Sequence, residues 1–177
     1  LKIMKNFRPY TSTRRHPVLA EKSHLWKGSS EKSLTKKHIS KAGRNNSGRI
    51  TSRHRGGGHK KKYRIIDFKR TKFDTPATVV RIEYDPIRTA HIALIEYEDK
   101  DKSYILAAEK MKVGDKVQSG EKVDVRIGNC MPIKNIPVGT VIHNVEIKPG
   151  KGGQIARSAG SSVNLLAIDS GKAIIKL

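Results

Sequence analysis

The chain has 177 residues, a length that suits one or two small domains. It carries 37 Lys and Arg against 16 Asp and Glu, a formal net charge of +21. A single cysteine excludes an internal disulfide framework and a cysteine-based zinc site. No apolar run approaches the roughly 20 residues that a membrane-spanning helix needs, so we expect no membrane partner.

The positive charge is concentrated in the first part of the chain. Residues 1–72 hold 22 Lys and Arg but three acids, a net charge of +19, whereas residues 73–177 have a net charge of +2. A segment with so much charge and few apolar groups cannot offset its ordering entropy by burial. We therefore predict an extended basic arm that binds a polyanion, and nucleic acid is the default polyanion. The alternative, a solubilising tail, would mix charges of both signs.

The predicted secondary structure is mainly β. Residues 1–62 show no sustained periodicity and form the predicted arm. After them, short segments rich in β-branched and aromatic residues alternate with polar turns, which is typical of antiparallel strands. Strands are predicted at 63–68, 78–84, 91–97 and 103–107, with a fifth at 116–117 or at 123–125. This spacing predicts a small closed barrel over residues 63–128.

A second β unit is predicted over residues 129–177. Its strand candidates are 140–147, 162–168 and 173–177, and a glycine-rich basic loop at 149–154 separates the first two. Three strands are few for an independent hydrophobic core. We therefore expect this unit to be truncated, or to be completed by another chain or by RNA.

Three consecutive glycines flanked by cations form the main nucleic-acid motif. Glycines let a backbone approach a surface closely, the cations match phosphates, and an aromatic ring at position 63 is suited to stacking on a base. A flexible linker is the alternative, but a linker does not need the seven Lys and Arg of residues 49–64. The RNA-contact candidates in this stretch are Arg49, Arg53, His54, Arg55, Gly56, Gly57, Gly58, His59, Lys60, Lys61, Tyr63 and Arg64.

Two arginines in connections between strands are further candidates. Arg88 follows a turn that contains Asp85, and Arg157 lies in a loop of small residues. A rigid β scaffold would hold each guanidinium where it can bind phosphate through two hydrogen bonds. The alternative for each is a surface ion pair, for instance between Arg88 and Asp85. Lys148 and Lys151, beside the second loop, and Arg14 and Arg15, in the arm, complete the cationic candidates.

Catalytic chemistry has little support in the sequence. No phosphate-binding glycine-lysine loop or dinucleotide-binding motif is present, and the seven histidines lack the spacing of a metal site. An enzyme acting on nucleic acid would need paired carboxylates. We interpret the acids Glu83, Asp85, Glu96 and Asp99 as solvated turn residues instead.

Several long segments resemble a known family. Residues 43–51, 55–63, 82–86, 135–139 and 148–160 closely resemble the bacterial-type L-two family of large-subunit ribosomal proteins, and the resemblance runs from about Lys5 to Leu177. The sequence is most similar to the alphaproteobacterial and mitochondrial branch of that family. Because several unusual segments occur in the family's order, the resemblance is specific.

The resemblance implies a basic N-terminal arm, an OB-fold-like barrel and then an SH3-like barrel. It implies binding to large-subunit rRNA, neighbouring ribosomal proteins as partners, and a role in subunit association and in shaping the peptidyl transferase region. It implies no cofactor, with Mg²⁺ only as part of the rRNA environment, and no small-molecule substrate. The rRNA contacts it implies are at Arg44, Asn45, Asn46, Arg49, Arg53, Arg55, the three glycines, Lys60, Arg88, Lys151 and Arg157.

Members of this family continue for roughly half as much chain again past the position of Leu177. We expect a second polypeptide to carry that segment, as in a split organellar protein; the alternatives are that this chain is a fragment of a longer protein, or that rRNA and neighbouring proteins replace the segment. We also expect a mitochondrial ribosome, with the bacterial cytoplasm or a plastid as alternatives. A free RNA-binding or RNA-chaperone module outside the ribosome is the alternative function, because it fits the charge and the barrels equally well.

Overall fold

A computed structural model describes residues 4–169 and 171–177, and the fold is mainly β, as predicted. This part of the chain has no α-helix; its two short 3-10 helices cover Ser12–Arg14 and Ile133–Asn135, and neither is long or apolar enough to cross a membrane. The described strands are β1 (Met4–Asn6), β2 (Val18–Ala20), β3 (Thr35–Lys37), β4 (Lys62–Arg64), β5 (Ala77–Glu83), β6 (Ile92–Tyr97), β7 (Lys102–Leu106), β8 (Lys116–Val117), β9 (Val141–Ile142), β10 (Val163–Asp169) and β11 (Lys172–Lys176).

Four strands form the main antiparallel sheet, in the order β7-β6-β5-β8. β6 lies inside the sheet and is buried on both faces, which explains why a nearly continuous apolar run forms a short strand. The strands predicted near 78–84, 91–97 and 103–107 are confirmed as β5, β6 and β7. The fifth predicted strand is β8, and residues 123–125 form no strand.

Each face of this sheet carries an apolar cluster. Ile95 and Val79 belong to the first cluster, and Leu94 and Tyr104 belong to the second. A β-bulge interrupts the pairing of β5 with β6 between Val79 and Arg81. Because bulges increase the local twist, this one helps the sheet to curl around the first cluster.

The first 62 residues are not a uniformly extended arm. β1 pairs with β2, and β3 pairs with β4 so that Lys37 lies opposite Lys62. Leu25 is buried, and Leu34 packs against the second cluster. Within residues 22–37 Leu25 is buried and most other residues are exposed, whereas residues 38–61 contain no buried residue. The domain boundary predicted at residue 62 therefore falls inside the β3–β4 hairpin.

A buried polar network fixes the root of this hairpin to the sheet. The Tyr104 hydroxyl donates to Glu83 Oε1 at 2.9 Å and accepts the Glu31 backbone N–H at 2.9 Å. Arg81 Nε donates to the same Glu83 oxygen at 2.7 Å. Burial raises the pKa of the Tyr104 hydroxyl, which keeps it protonated as a donor. Glu83 is 3% exposed, so its interpretation as a solvated turn residue is wrong.

The second unit is a three-stranded antiparallel sheet in the order β11-β10-β9. Of the strand predicted at 140–147, only β9 forms, because Asn144 adopts a left-handed conformation with φ of 54°. The Gly153 N–H donates to the Phe68 carbonyl at 3.1 Å, and the Ala159 N–H donates to Thr89 Oγ1 at 3.1 Å. These two bonds join the second unit to the first.

We predict that Tyr104→Phe lowers the free energy of unfolding by about 1–3 kcal/mol, because it leaves the Glu31 N–H and part of the Glu83 carboxylate without a partner. Urea denaturation followed by circular dichroism measures this. Tyr84→Phe is the matched control, since Tyr84 is 45% exposed and its hydroxyl bonds to no described residue. Equal stability of the two variants would contradict a contribution from the network.

Candidate nucleic-acid interface

The residues between β3 and β4 form a closed basic loop. This basic loop, residues 38–61, contains seven Lys and Arg and no acid. Both of its ends are held together, because Lys37 pairs with Lys62 and the Ile65 N–H donates to the Leu34 carbonyl at 2.9 Å. The most basic part of the chain is therefore presented from a fixed neck and not from a free tail.

Asn45 organises the tip of the basic loop. Its side-chain Oδ1 accepts the Arg49 N–H and the Ser47 hydroxyl, each at 3.0 Å. The Asn45 N–H also donates to the Arg49 carbonyl at 2.9 Å, and the Gly48 N–H donates back to the Asn45 carbonyl at 3.2 Å. Asn45, predicted to contact RNA, thus shapes the turn that presents its neighbour Asn46, which is exposed.

The cations of the basic loop are exposed and bond to no side chain or backbone group of the described residues. A cation that is already buried or paired must give up a contact in order to bind phosphate. The exposed cations of the basic loop lose no such contact and are therefore available to a phosphate. Those that make no side-chain hydrogen bond or ion pair with a described residue are Lys41, Arg44, Arg49, Arg53, Arg55, Lys60 and Lys61. His54, with φ of 56°, and the three glycines, all with positive φ, lie among them.

A second group of candidates meets at Phe68, where the two β units join. The Arg157 guanidinium carbon lies 4.8 Å from the centre of the Phe68 ring, and the Arg88 guanidinium carbon lies 5.8 Å from it. Arg157 Nη1 also donates to the Gly153 carbonyl at 3.3 Å. We call Tyr63, Phe68, Arg88 and Arg157 the junction cluster; each arginine stacks on an aromatic ring, a contact that fixes its plane.

Arg88 forms an ion pair with Asp85, the alternative to phosphate binding that the sequence suggested. Its Nε donates to Asp85 Oδ2 at 2.7 Å, and the Ile87 N–H donates to Asp85 Oδ1 at 2.9 Å. Asp85 is fully buried, so the interpretation of this acid as a solvated turn residue is also wrong. The Arg88 guanidinium lies 6.0 Å from the Tyr63 ring as well. Its contact with RNA stays a prediction.

Glu146 shapes the glycine-rich loop of the second unit. Its carboxylate accepts the Gly150 N–H at 3.0 Å and the Gly152 N–H at 2.8 Å. This closes the loop and leaves Lys148 and Lys151 exposed on it.

The remaining candidates lie apart from these groups. Arg14 ends the first 3-10 helix and Arg15 follows it, both exposed between β1 and β2. Arg64 is half-buried, and its Nη1 donates to the Lys62 carbonyl at 2.9 Å. The His59 ring nitrogen Nδ1 is 3.0 Å from the Lys60 carbonyl oxygen.

Sequence reasoning missed Phe68 and Glu146. Phe68 ends the strand predicted at 63–68, and no local pattern indicates that Arg88 and Arg157 lie over its ring. Glu146, four residues before Gly150, carried a usable signal, because an acid at the mouth of a glycine-rich turn can accept its N–H groups. The described residues contain no group of three or more His, Cys, Asp or Glu that could hold a metal ion.

Family models match both parts of the chain. Residues 31–119 match "Ribosomal Proteins L2, RNA binding N-terminal domain", and residues 126–177 match "Ribosomal Proteins L2, C-terminal domain". The first match begins just before β3 and ends after β8, so it includes the basic loop and the main sheet.

Curated relatives agree with these matches. The chain is 63% identical over 174 residues to the large ribosomal subunit protein uL2 of Rickettsia rickettsii, of Rickettsia canadensis and of Rickettsia felis. These alignments cover 98% of this chain and 64% of each relative, so the chain spans about two thirds of their length. On both kinds of match, the chain belongs to the ribosomal protein L2 family.

Proposed function

We propose that this chain is a structural, rRNA-binding component of the large ribosomal subunit. The observation that carries the proposal is the basic loop: seven cations, no acid and no internal ion pair, held at a fixed neck. The RNA-binding domain model that covers this loop and the names of the relatives support the same function.

The basic loop supplies affinity by neutralising phosphates. Each cation that approaches a phosphate releases condensed counterions, which makes binding weaker as salt concentration rises. Because the neck is already formed, the loop loses less conformational entropy on binding than a free arm of the same charge would lose.

The junction cluster supplies position. Arg157 uses one guanidinium nitrogen on the Gly153 carbonyl and stacks on Phe68, so the direction of its remaining N–H groups is fixed. A guanidinium held in this way binds a phosphate only when the RNA backbone passes at the matching angle. We infer that Arg157 sets the register of the RNA on the second unit.

The same proposal includes contacts with neighbouring ribosomal proteins. It also includes a supporting role in subunit association and in the peptidyl transferase region. The proposed mitochondrial location rests on the similarity of the sequence to the alphaproteobacterial and mitochondrial branch, while the relatives named above are bacterial proteins. The second chain expected from the family's length stays a prediction. Mass spectrometry of large subunits from isolated mitochondria of the source organism tests the location and the second chain together.

A free RNA-binding module outside the ribosome is the other candidate function, because it needs the same excess of positive charge as an rRNA-binding ribosomal protein. A ribosomal component stays with large subunits at one copy each through sucrose-gradient sedimentation, whereas a free module dissociates and binds many RNAs. Recovery only in the ribosome-free fractions would overturn the ribosomal proposal.

We predict that replacing Arg44, Arg49, Arg53 and Arg55 by Gln reduces the salt dependence of rRNA binding. The slope of log K against log salt should fall in magnitude by roughly three to four, because each lost phosphate contact contributes about 0.7–0.9. Filter binding of the large-subunit rRNA of Rickettsia rickettsii over a range of KCl concentrations measures the slope.

The matched control replaces four exposed lysines of the main-sheet unit, Lys110, Lys112, Lys116 and Lys122, by Gln. It removes the same charge from a part of the molecule outside the basic loop and the junction cluster. An equal loss of slope in this control would show that total charge, and not the basic loop, determines binding.

We predict that Arg157→Ala weakens rRNA binding roughly tenfold, as expected for the loss of one charge-assisted hydrogen bond of about 1.5 kcal/mol. Arg157→Lys should keep the salt slope and still lose affinity, because lysine lacks the planar fork that stacks on Phe68. Unchanged affinity of Arg157→Ala, with an unchanged unfolding curve, would remove Arg157 from the interface.

A further inference from the structure

The basic loop contains a polar cleft of about 380 Å³. Its two walls are residues 40–44 and residues 55–56. Three cations, Lys41, Arg44 and Arg55, line it together with the glycines Gly43 and Gly56. Since the basic loop has no acid, nothing in it neutralises these cations.

Backbone hydrogen bonds hold the first wall in shape. The Gly43 carbonyl accepts the Thr51 N–H at 3.0 Å and the Ser52 N–H at 3.1 Å, and the Arg44 N–H donates to the Lys41 carbonyl at 3.0 Å. Gly43 has φ of 73°, and a Cβ there would lie 2.0 Å from the Ser52 carbonyl oxygen. The cleft is therefore a formed feature of the loop, with a glycine where no side chain fits.

Three backbone donors of the cleft are unused. The N–H groups of Gly43, Arg55 and Gly56 donate to no acceptor among the described residues. Consecutive residues with alternating or left-handed conformations expose such N–H groups on a concave surface that suits an anion. Here Ala42 has φ of 49° and Gly43 φ of 73° on one wall, and Gly56 has φ of 109° on the other.

We infer that this cleft receives a backbone phosphate of RNA. A phosphate oxygen accepts hydrogen bonds from both backbone N–H groups and guanidinium groups, which are the two kinds of donor that line the cleft. The inference rests on the proposed rRNA binding and specifies where one phosphate enters. It also assigns the glycines a role in shape, separate from the charge of their neighbours.

The contact between the two walls provides a test that leaves every charge in place. A Cβ at Gly56 would lie 2.6 Å from the Ala42 Cβ, so Gly56→Ala forces the walls apart. Gly48 lies in the same loop but outside the RNA-contact candidates, and it also has a positive φ, of 78°, while a Cβ there meets nothing within 4 Å. Gly48→Ala is therefore the control for backbone strain, and Ala42→Gly combined with Gly56→Ala removes the Cβ that causes the clash.

We predict that Gly56→Ala weakens binding of Rickettsia rickettsii large-subunit rRNA several-fold and lowers the magnitude of the salt slope by about one, the value for a single phosphate contact. Gly48→Ala should bind like the original protein. The Ala42→Gly, Gly56→Ala double variant should recover most of the affinity.

The other outcomes overturn the inference in distinguishable ways. Unchanged binding by Gly56→Ala would remove the cleft from the interface and leave the proposed function standing. Equal weakening by Gly48→Ala would show that general loop strain, and not the cleft, is responsible. Failure of the original protein to prefer this rRNA over an unrelated RNA of equal length would overturn the proposed function and the cleft with it.

Discussion

The structure depends on the closure of a highly charged loop by a neck that is bonded to an apolar sheet. Seven like charges in residues 38–61 repel one another, and bringing the ends of such a segment together also costs loop entropy. The β3–β4 pairing and the burial of Leu34 offset these costs, and the Tyr104–Glu83 network fixes the hairpin root to β5 and β7. Apolar packing in one part of the chain thus maintains a concentration of charge in another.

This arrangement divides the cations into two classes. Arg70, Arg81 and Arg88 are bonded inside the protein, to Ser119, Glu83 and Asp85, and they stabilise the fold. The cations of the basic loop make no such bond to a described residue. The total of 37 Lys and Arg therefore overstates the number of cations that are free to contact a nucleic acid, and the sequence alone does not show which of them are bonded inside the protein.

The local pattern of the sequence was enough to predict the strands of the main sheet and insufficient to predict the contacts between distant parts of the chain. β5, β6 and β7 followed from apolar and β-branched runs between turns, because each run is a local property. The bond between Glu31 and Tyr104 spans 73 residues, and no local pattern indicates it. Glu83 was misinterpreted for the same reason, because the Tyr104 hydroxyl that it accepts comes from 21 residues away. Asp85 is different, because its partner Arg88 lies three residues along the chain and the pair was already the alternative interpretation.

In the proposed function, affinity and position are supplied by different physical interactions. The basic loop would act through long-range attraction, which tolerates small shifts of the RNA and weakens with salt. Arg157 would act through its contact with the Phe68 ring and its bond to the Gly153 carbonyl, which tolerate little displacement. Because the Gly153 N–H donates to the Phe68 carbonyl, the residue that joins the two β units also accepts the guanidinium bond. On this proposal, RNA bound at Arg157 is held in register with the junction of the fold, while the basic loop holds the RNA on the protein.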